Sequence, residues 1–215
     1  FQATYCQVYA DFVKNLGINP LRIQHLAEIP FLPVEFFKTH AIISAPYKPE
    51  ITFTSSGTTG DVQSKHPVTD VSIYIESFRT CFEKFYGDIK EYAILALLPS
   101  YLERSGSSLI YMVDDFIRES ENDLSGYFLY NHSELQETLE TLKKNKVPTL
   151  LIGVTYALLD FAESHGLEFP ELIVMETGGM KGKRREMVRE ELHETLCSGF
   201  GVPTIHSEYG MTELL

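Results

Sequence analysis

Apolar positions along this chain follow two rhythms. Near the start they recur at helical spacing. Later they gather into short continuous runs separated by amphipathic stretches. Residues 4–16 predict a helix stopped by Gly17, and residues 20–27 a second, shorter one. Ile29-Pro30-Phe31-Leu32-Pro33 is a proline-bounded turn leading into residues 34–38. Residues 70–86, with Ile73, Phe78, Phe82 and Phe85 three or four apart, predict a helix closed by Gly87. Residues 92–98 form an unbroken apolar run, the mark of a strand buried on both faces. Further strands are expected at 51–53, 126–130, 149–152, 171–176 and 202–206. Helices are expected at 108–120, at 155–165, at 184–198 and after Ser133 as a cap, where Leu135, Leu139 and Leu142 share a face.

This alternation predicts an α/β fold with a mostly parallel sheet covered by helices. Ligands in such folds bind beyond the carboxyl ends of the strands. Residues 1–50 are expected to form an N-terminal helical cap and residues 51–215 the α/β domain. No internal repeat or low-complexity segment interrupts it.

Charge narrows the partners. The 215 residues carry 18 Lys and Arg against 30 Asp and Glu, a net charge of −12, which argues against a broad nucleic-acid or anionic-membrane surface. A local phosphate site is still compatible with it. No run is long and apolar enough to span a bilayer. The cysteines, Cys6, Cys81 and Cys197, are far apart, so no metal-type pair exists, and sparse thiols fit a reducing cytoplasm. His193-Glu194 lacks the second histidine of a zinc-protease helix, and no Gly-x-Ser-x-Gly elbow is present.

Two segments carry candidate chemistry. Thr54-Ser55-Ser56-Gly57-Thr58-Thr59-Gly60 follows a β-prone run. Its glycines permit close backbone approach, successive N–H groups in such a turn form an anion site, and the hydroxyls add donors without bulk. Lys65 brings a positive charge to the same anion. The spacing is not that of the P-loop: Gly182-Lys183 is the only Gly-Lys pair, and Arg184 stands where a hydroxyl is required. The second segment is Glu208-Tyr209-Gly210-Met211-Thr212-Glu213. Its ring can stack a base, its hydroxyl can donate to a phosphate, and its carboxylate suits magnesium. Lys181, Lys183, Arg184 and Arg185 crowd the expected start of the helix at 184, where the dipole disfavours cations. That crowding hints at an anion nearby. Arg104, in a Ser/Gly-rich turn, is a further phosphate or carboxylate candidate.

Both segments, together with Leu97-Leu98-Pro99-Ser100-Tyr101-Leu102-Glu103-Arg104-Ser105-Gly106 and Glu176-Thr177-Gly178-Gly179-Met180-Lys181-Gly182, resemble the motifs of the adenylate-forming acyl-CoA synthetase and luciferase superfamily. Within it they are most similar to the acyl-protein synthetases of the LuxE type. The resemblance runs from about residue 31 onward. It implies part of the large N-terminal domain of an adenylate-forming enzyme, with ATP and Mg2+ as its needs. Residues 54 to 60 would wrap the pyrophosphate end of ATP. Gly178, Gly179 and Met180 would line the adenine pocket. Tyr209, followed by Gly210, would stack on adenine. Thr212 would contact the α-phosphate and Glu213 would hold magnesium. Thr212, Glu213 and Lys65 are the residues expected to carry the reaction.

The implied reaction joins a carboxylic acid, of the fatty class, to AMP and passes the acyl group to a protein thiol. An acyl-transferase or reductase would be the partner and the cytoplasm the location. Two alternatives stay open: a carboxylate–CoA ligase of the phenylacetate type, and a non-catalytic nucleotide- or acyl-binding module. The chain departs from the wider pattern in carrying Asp61-Val62-Gln63-Ser64-Lys65-His66 where Pro-Lys is common, and in having no histidine between Pro99 and Gly106. The family's ribose-binding acid, arginine and acyl-accepting cysteine fall beyond Leu215. The chain is therefore expected to be part of a longer enzyme and inactive alone.

Overall fold

The computed structural model describes residues 1–55, 62–99, 106–180 and 182–214. They form two compact units. The first holds residues 1–77, 106–108 and 211–215, and the second holds residues 78–105 and 109–210.

In the first unit the helix expected over 4–16 is two helices, α1 (Gln2–Tyr5) and α2 (Gln7–Asn15). Cys6 between them is extended, with φ −100° and ψ 101°, and is buried. Burying the Cys6 side chain and breaking the helix happen at the same residue. The stretch 20–27 is likewise not one helix but two 3-10 turns, Pro20–Arg22 and Leu26–Glu28, the first capped by the Asn19 side chain accepting from Leu21 N–H. Helix α3 (Phe36–Thr39) follows the proline turn, and Phe36 packs edge-on against Phe12 with centroids 5.7 Å apart.

Strand β1 (Ile51–Thr54) does not join a parallel sheet. It pairs antiparallel with β2 (Lys65–Val68), which its sequence did not announce. Pro67 is tolerated because a two-stranded ribbon is all edge, so its missing N–H breaks no interior ladder. Phe53 is fully buried and meets Tyr74 edge-to-face at 5.6 Å. Tyr74 lies on α4 (Val71–Tyr86), whose first turns belong to the first unit and whose remainder belongs to the second.

The second unit is the α/β body. Strands β3 (Ala93–Leu97), β4 (Gly126–Tyr127), β5 (Thr149–Gly153), β6 (Ile173–Glu176) and β7 (His206–Ser207) form a parallel sheet in the order β4-β3-β5-β6-β7. The expected fold class is the observed one. Every residue of β3 and β5 is buried, which is why β3 reads as an unbroken apolar run and β5 as one that only Thr149 interrupts. Helices α5 (Ser108–Glu119), α6 (His132–Asn145), α7 (Thr155–His165) and α8 (Arg189–Phe200) flank the sheet and fill one core with it. Asp115 of α5, 2% exposed, takes both Nε and Nη2 of Arg79 from α4 at 2.7 Å and is also paired with Arg118. A buried carboxylate persists only when its oxygens are supplied with donors in this way.

Two helix starts differ from expectation. The cap of α6 is Asn131, not Ser133: its side-chain oxygen accepts from Glu134 N–H at 3.3 Å and its amide donates to the Glu134 carboxylate. Helix α8 begins at Arg189 rather than at 184. Arg184 instead donates to Asp160 and Glu163 of α7 and is pinned there, so the chain turns into helix only afterwards. The anion it was expected to signal is this carboxylate pair. Lys181 and Arg104 lie outside the described residues.

Candidate functional site

The candidate residues fall into two groups, one in each unit. In the first unit, Thr54 ends β1 and Lys65 begins β2, so the described ends of the hydroxyl-rich segment adjoin an antiparallel strand pair. Those ends are tied together. Ser55 N–H donates to the Ser64 carbonyl at 3.1 Å, and Ser64 N–H donates to Ser55 Oγ at 3.0 Å. Ser55 Oγ thus serves as an acceptor in this closure. Thr54 N–H donates to the Gly106 carbonyl at 2.7 Å. Gly106 has φ +84°, and a Cβ there would sit 3.2 Å from Thr54 Oγ1, so this approach calls for glycine. Ser56, Gly57, Thr58, Thr59 and Gly60 lie outside the described residues.

Thr212 and Glu213 form a 3-10 turn, Thr212–Leu214, that packs beside β2 in the same unit. The three residues expected to carry the reaction, Lys65, Thr212 and Glu213, are thus carried by neighbouring elements although they are far apart in sequence. Lys65 also lines an open depression of about 430 Å³ with Phe37, Lys38, His40, Ile43 and Pro67.

In the second unit, β6 and β7 run side by side, with Glu176 opposite Ser207. The Gly178 and Tyr209 segments therefore leave adjacent strands at the same, carboxyl-terminal end of the sheet. Gly178 and Gly179 both have φ +75°, a left-handed pair that residues with a Cβ rarely adopt. The two glycines are exposed, but Met180 is not: only 2% of it reaches solvent and it is part of the core. Gly178, Gly179 and Met180 line a cavity of about 140 Å³ with Thr155, Glu176 and Arg189. That is smaller than the roughly 300–1,000 Å³ of most ligand pockets. Tyr209 is 85% exposed, a free ring on the surface. Beside it Gly210 leaves room for the Glu208 carboxylate, which a Cβ at Gly210 would approach to 2.9 Å.

Glu176 is the residue that sequence reasoning missed. It is 3% exposed. Its carboxylate accepts from Gly178 N–H at 2.6 Å, from Ser207 Oγ at 2.6 Å and from Thr155 Oγ1 at 3.4 Å, and His193 Nε2 stands 3.7 Å away. The available signal was a carboxylate closing an apolar strand, Ile-Val-Met-Glu, since such a group must find donors where it is buried. Burial pushes the Glu208 carboxyl above the usual range, and the Glu176 charge adds to the rise.

Magnesium takes one or two carboxylates together with phosphate oxygens and keeps its waters, so Glu213 alone can serve it. Among the described residues no group of three or more His, Cys, Asp or Glu side chains could hold a metal unaided. No described helix is long and apolar enough to cross a membrane. Of the cysteines, Cys6 is buried and Cys81 exposed, while burial raises the Cys197 thiol, the opposite of the shift that activates a nucleophile. Neither protein-family models nor curated proteins match this chain.

Proposed function

We propose that this protein is part of an ATP-dependent acid–thiol ligase that activates a carboxylic acid, of the fatty class, as its acyl-adenylate and passes the acyl group to a protein cysteine. The observation that carries the reading is the packing of the Thr212–Leu214 turn beside the strand bearing Lys65. It gathers a cation, a hydroxyl and a carboxylate into one unit, on elements that adjoin the paired ends of β1 and β2.

In this reading the segment from Thr54 to Gly60 and Lys65 hold the outer phosphates, Thr212 donates to the α-phosphate, and Glu213 holds magnesium. Magnesium, when bound, neutralises phosphate charge. Gly178, Gly179 and Met180 together with Tyr209 and Gly210 receive adenine. The substrate carboxylate oxygen attacks the α-phosphorus, and the bond to the β-phosphate oxygen breaks with release of pyrophosphate. A thiolate then attacks the acyl carbon, and AMP leaves. Donors fixed before charge develops lower the barrier to such a step, and the closure through Ser55 and Ser64 supports this reading. An acyl-transferase or reductase partner and a cytoplasmic setting belong to the same proposal.

The test is ATP–pyrophosphate exchange by the full-length protein with magnesium, across short, long and aromatic acids, beside a Glu213→Gln variant. Acid-dependent exchange that the variant loses is expected. No exchange with any acid would overturn the adenylation reading, and full exchange by Glu213→Gln would remove the magnesium role.

A further inference from the structure

We propose that Glu176 is a positioning residue that sets the Gly178 and Tyr209 segments in the arrangement that receives a purine base; this rests on the nucleotide reading above. Four elements converge on its carboxylate. Gly178 N–H comes from the segment after β6, Ser207 Oγ from the end of β7, Thr155 Oγ1 from the first turn of α7, and His193 from α8. The main chain of Glu176 takes hold of the same neighbour, its carbonyl accepting from Glu208 N–H at 2.8 Å. One residue therefore grips Ser207 with its side chain and Glu208 with its backbone, directly before the exposed ring of Tyr209. The same side chain fixes the first of two left-handed glycines.

A carboxylate is an expensive choice for a site 3% exposed, because well-packed apolar side chains of similar size are often neutral or better there. An apolar side chain would accept nothing from the Gly178 N–H and would release the segment after β6 from this anchor. What the carboxylate supplies is two acceptor oxygens in one plane, one toward each segment.

Glutamine can reproduce this arrangement. Its carbonyl oxygen can accept from Gly178 N–H, and its amide can donate to Ser207 Oγ, a hydroxyl that accepts as readily as it donates. Alanine can do neither. A group acting by charge on a ligand would fail with both substitutions, whereas a positioning group fails only with alanine.

The experiment is calorimetric titration of ATP into full-length wild-type protein and into Glu176→Ala, Glu176→Gln, Ser207→Ala, Tyr209→Ala and the Glu176→Ala/Tyr209→Ala pair, each checked by thermal unfolding. Loss of a hydrogen bond to a charged group predicts about a tenfold weakening for Glu176→Ala, and Glu176→Gln is expected to restore binding to within about threefold. In the Tyr209→Ala background, Glu176→Ala is expected to add less than about threefold, because residues acting through one group are not additive. Ser207→Ala, which removes a single hydroxyl, carries the test if Glu176→Ala does not fold, and it is expected to weaken ATP binding. Folded Glu176→Ala or Ser207→Ala binding ATP like wild type would overturn the inference, as would Glu176→Gln binding no better than Glu176→Ala. Failure of the wild-type protein to bind ATP would overturn the nucleotide reading itself, and this inference with it.

Discussion

Thr54 and Lys65 stand directly opposite each other, register partners where β1 ends and β2 begins. Opposed residues of an antiparallel pair point to one face, so the two side chains leave the ribbon on the same side, the threonine hydroxyl donating to the Gly106 carbonyl at 3.4 Å. The closing hydrogen bonds between Ser55 and Ser64 lie directly beside that pair.

If Lys65 attends the outer phosphates, Lys65→Gln should weaken ATP by about 1.5–3 kcal/mol, the range for hydrogen bonds to charged groups, and leave AMP affinity nearly unchanged. Titration of both nucleotides checks this. Equal losses for ATP and AMP, or none for either, would take Lys65 off the outer phosphates.

Tyr209 gives a cleaner separation of binding from folding. Its ring is 85% exposed, so truncation removes little buried surface and the melting temperature should hold. Tyr209→Ala should nonetheless cost about 1–3 kcal/mol of ATP binding if the ring stacks on adenine, by analogy with base–aromatic stacking. Tyr209→Phe should bind as wild type does. An alanine variant with unchanged affinity would end the stacking role.

Stability can be probed at Gly153, the last residue of β5. A Cβ there would lie 2.9 Å from both Leu158 Cγ and Leu97 Cβ, and Leu97 and Leu158 are fully buried. The leucines belong to the core and cannot simply swing away. Gly153→Ala should therefore destabilise by about 1–3 kcal/mol through overpacking. Urea unfolding should show a lower midpoint with an unchanged slope. A variant as stable as wild type would mean that β5, β3 and α7 can move apart at little cost.

The body of the fold was legible because its strands are buried on both faces. The runs at 93–97 and 149–153 admit no polar residue but Thr149, and α7 spans the same residues, 155–165, that its pattern predicts. The antiparallel pair was not legible beyond its first strand. Lys-His-Pro-Val neither alternates cleanly nor favours a strand, and only pairing with β1 makes it one. The break at Cys6 was hidden because the apolar rhythm continues through it. The true cap of α6 was masked by two cap-forming residues two positions apart, Asn131 and Ser133; Asn131 is the one that reaches Glu134. Of the candidate site, the sequence revealed both segments after strands, and the parallel pairing of β6 with β7 explains why they emerge together. Glu176 stayed hidden because nothing local announces which donors a strand-ending carboxylate will meet: Thr155, His193 and Ser207 reach it only through tertiary packing.

Glu208 offers a pH test of the same corner. Its carboxyl lies above the usual range, first because it is partly withdrawn from water and then because Glu176 stands near. A carboxyl whose folded value is raised binds its proton more tightly in the folded state than in the unfolded one. Stability from this group is therefore fully present below the ordinary glutamate value, about 4.3, and is lost as pH rises through the raised value. Glu208→Gln removes both the withdrawn charge and its repulsion from Glu176. The variant should match wild type in melting temperature near about pH 4 and exceed it near about pH 8. Melting curves of both proteins across that interval decide the matter. A difference that stays constant with pH would mean the gain comes from packing of the amide, and a wild type more stable at high pH would mean the carboxylate is held by donors.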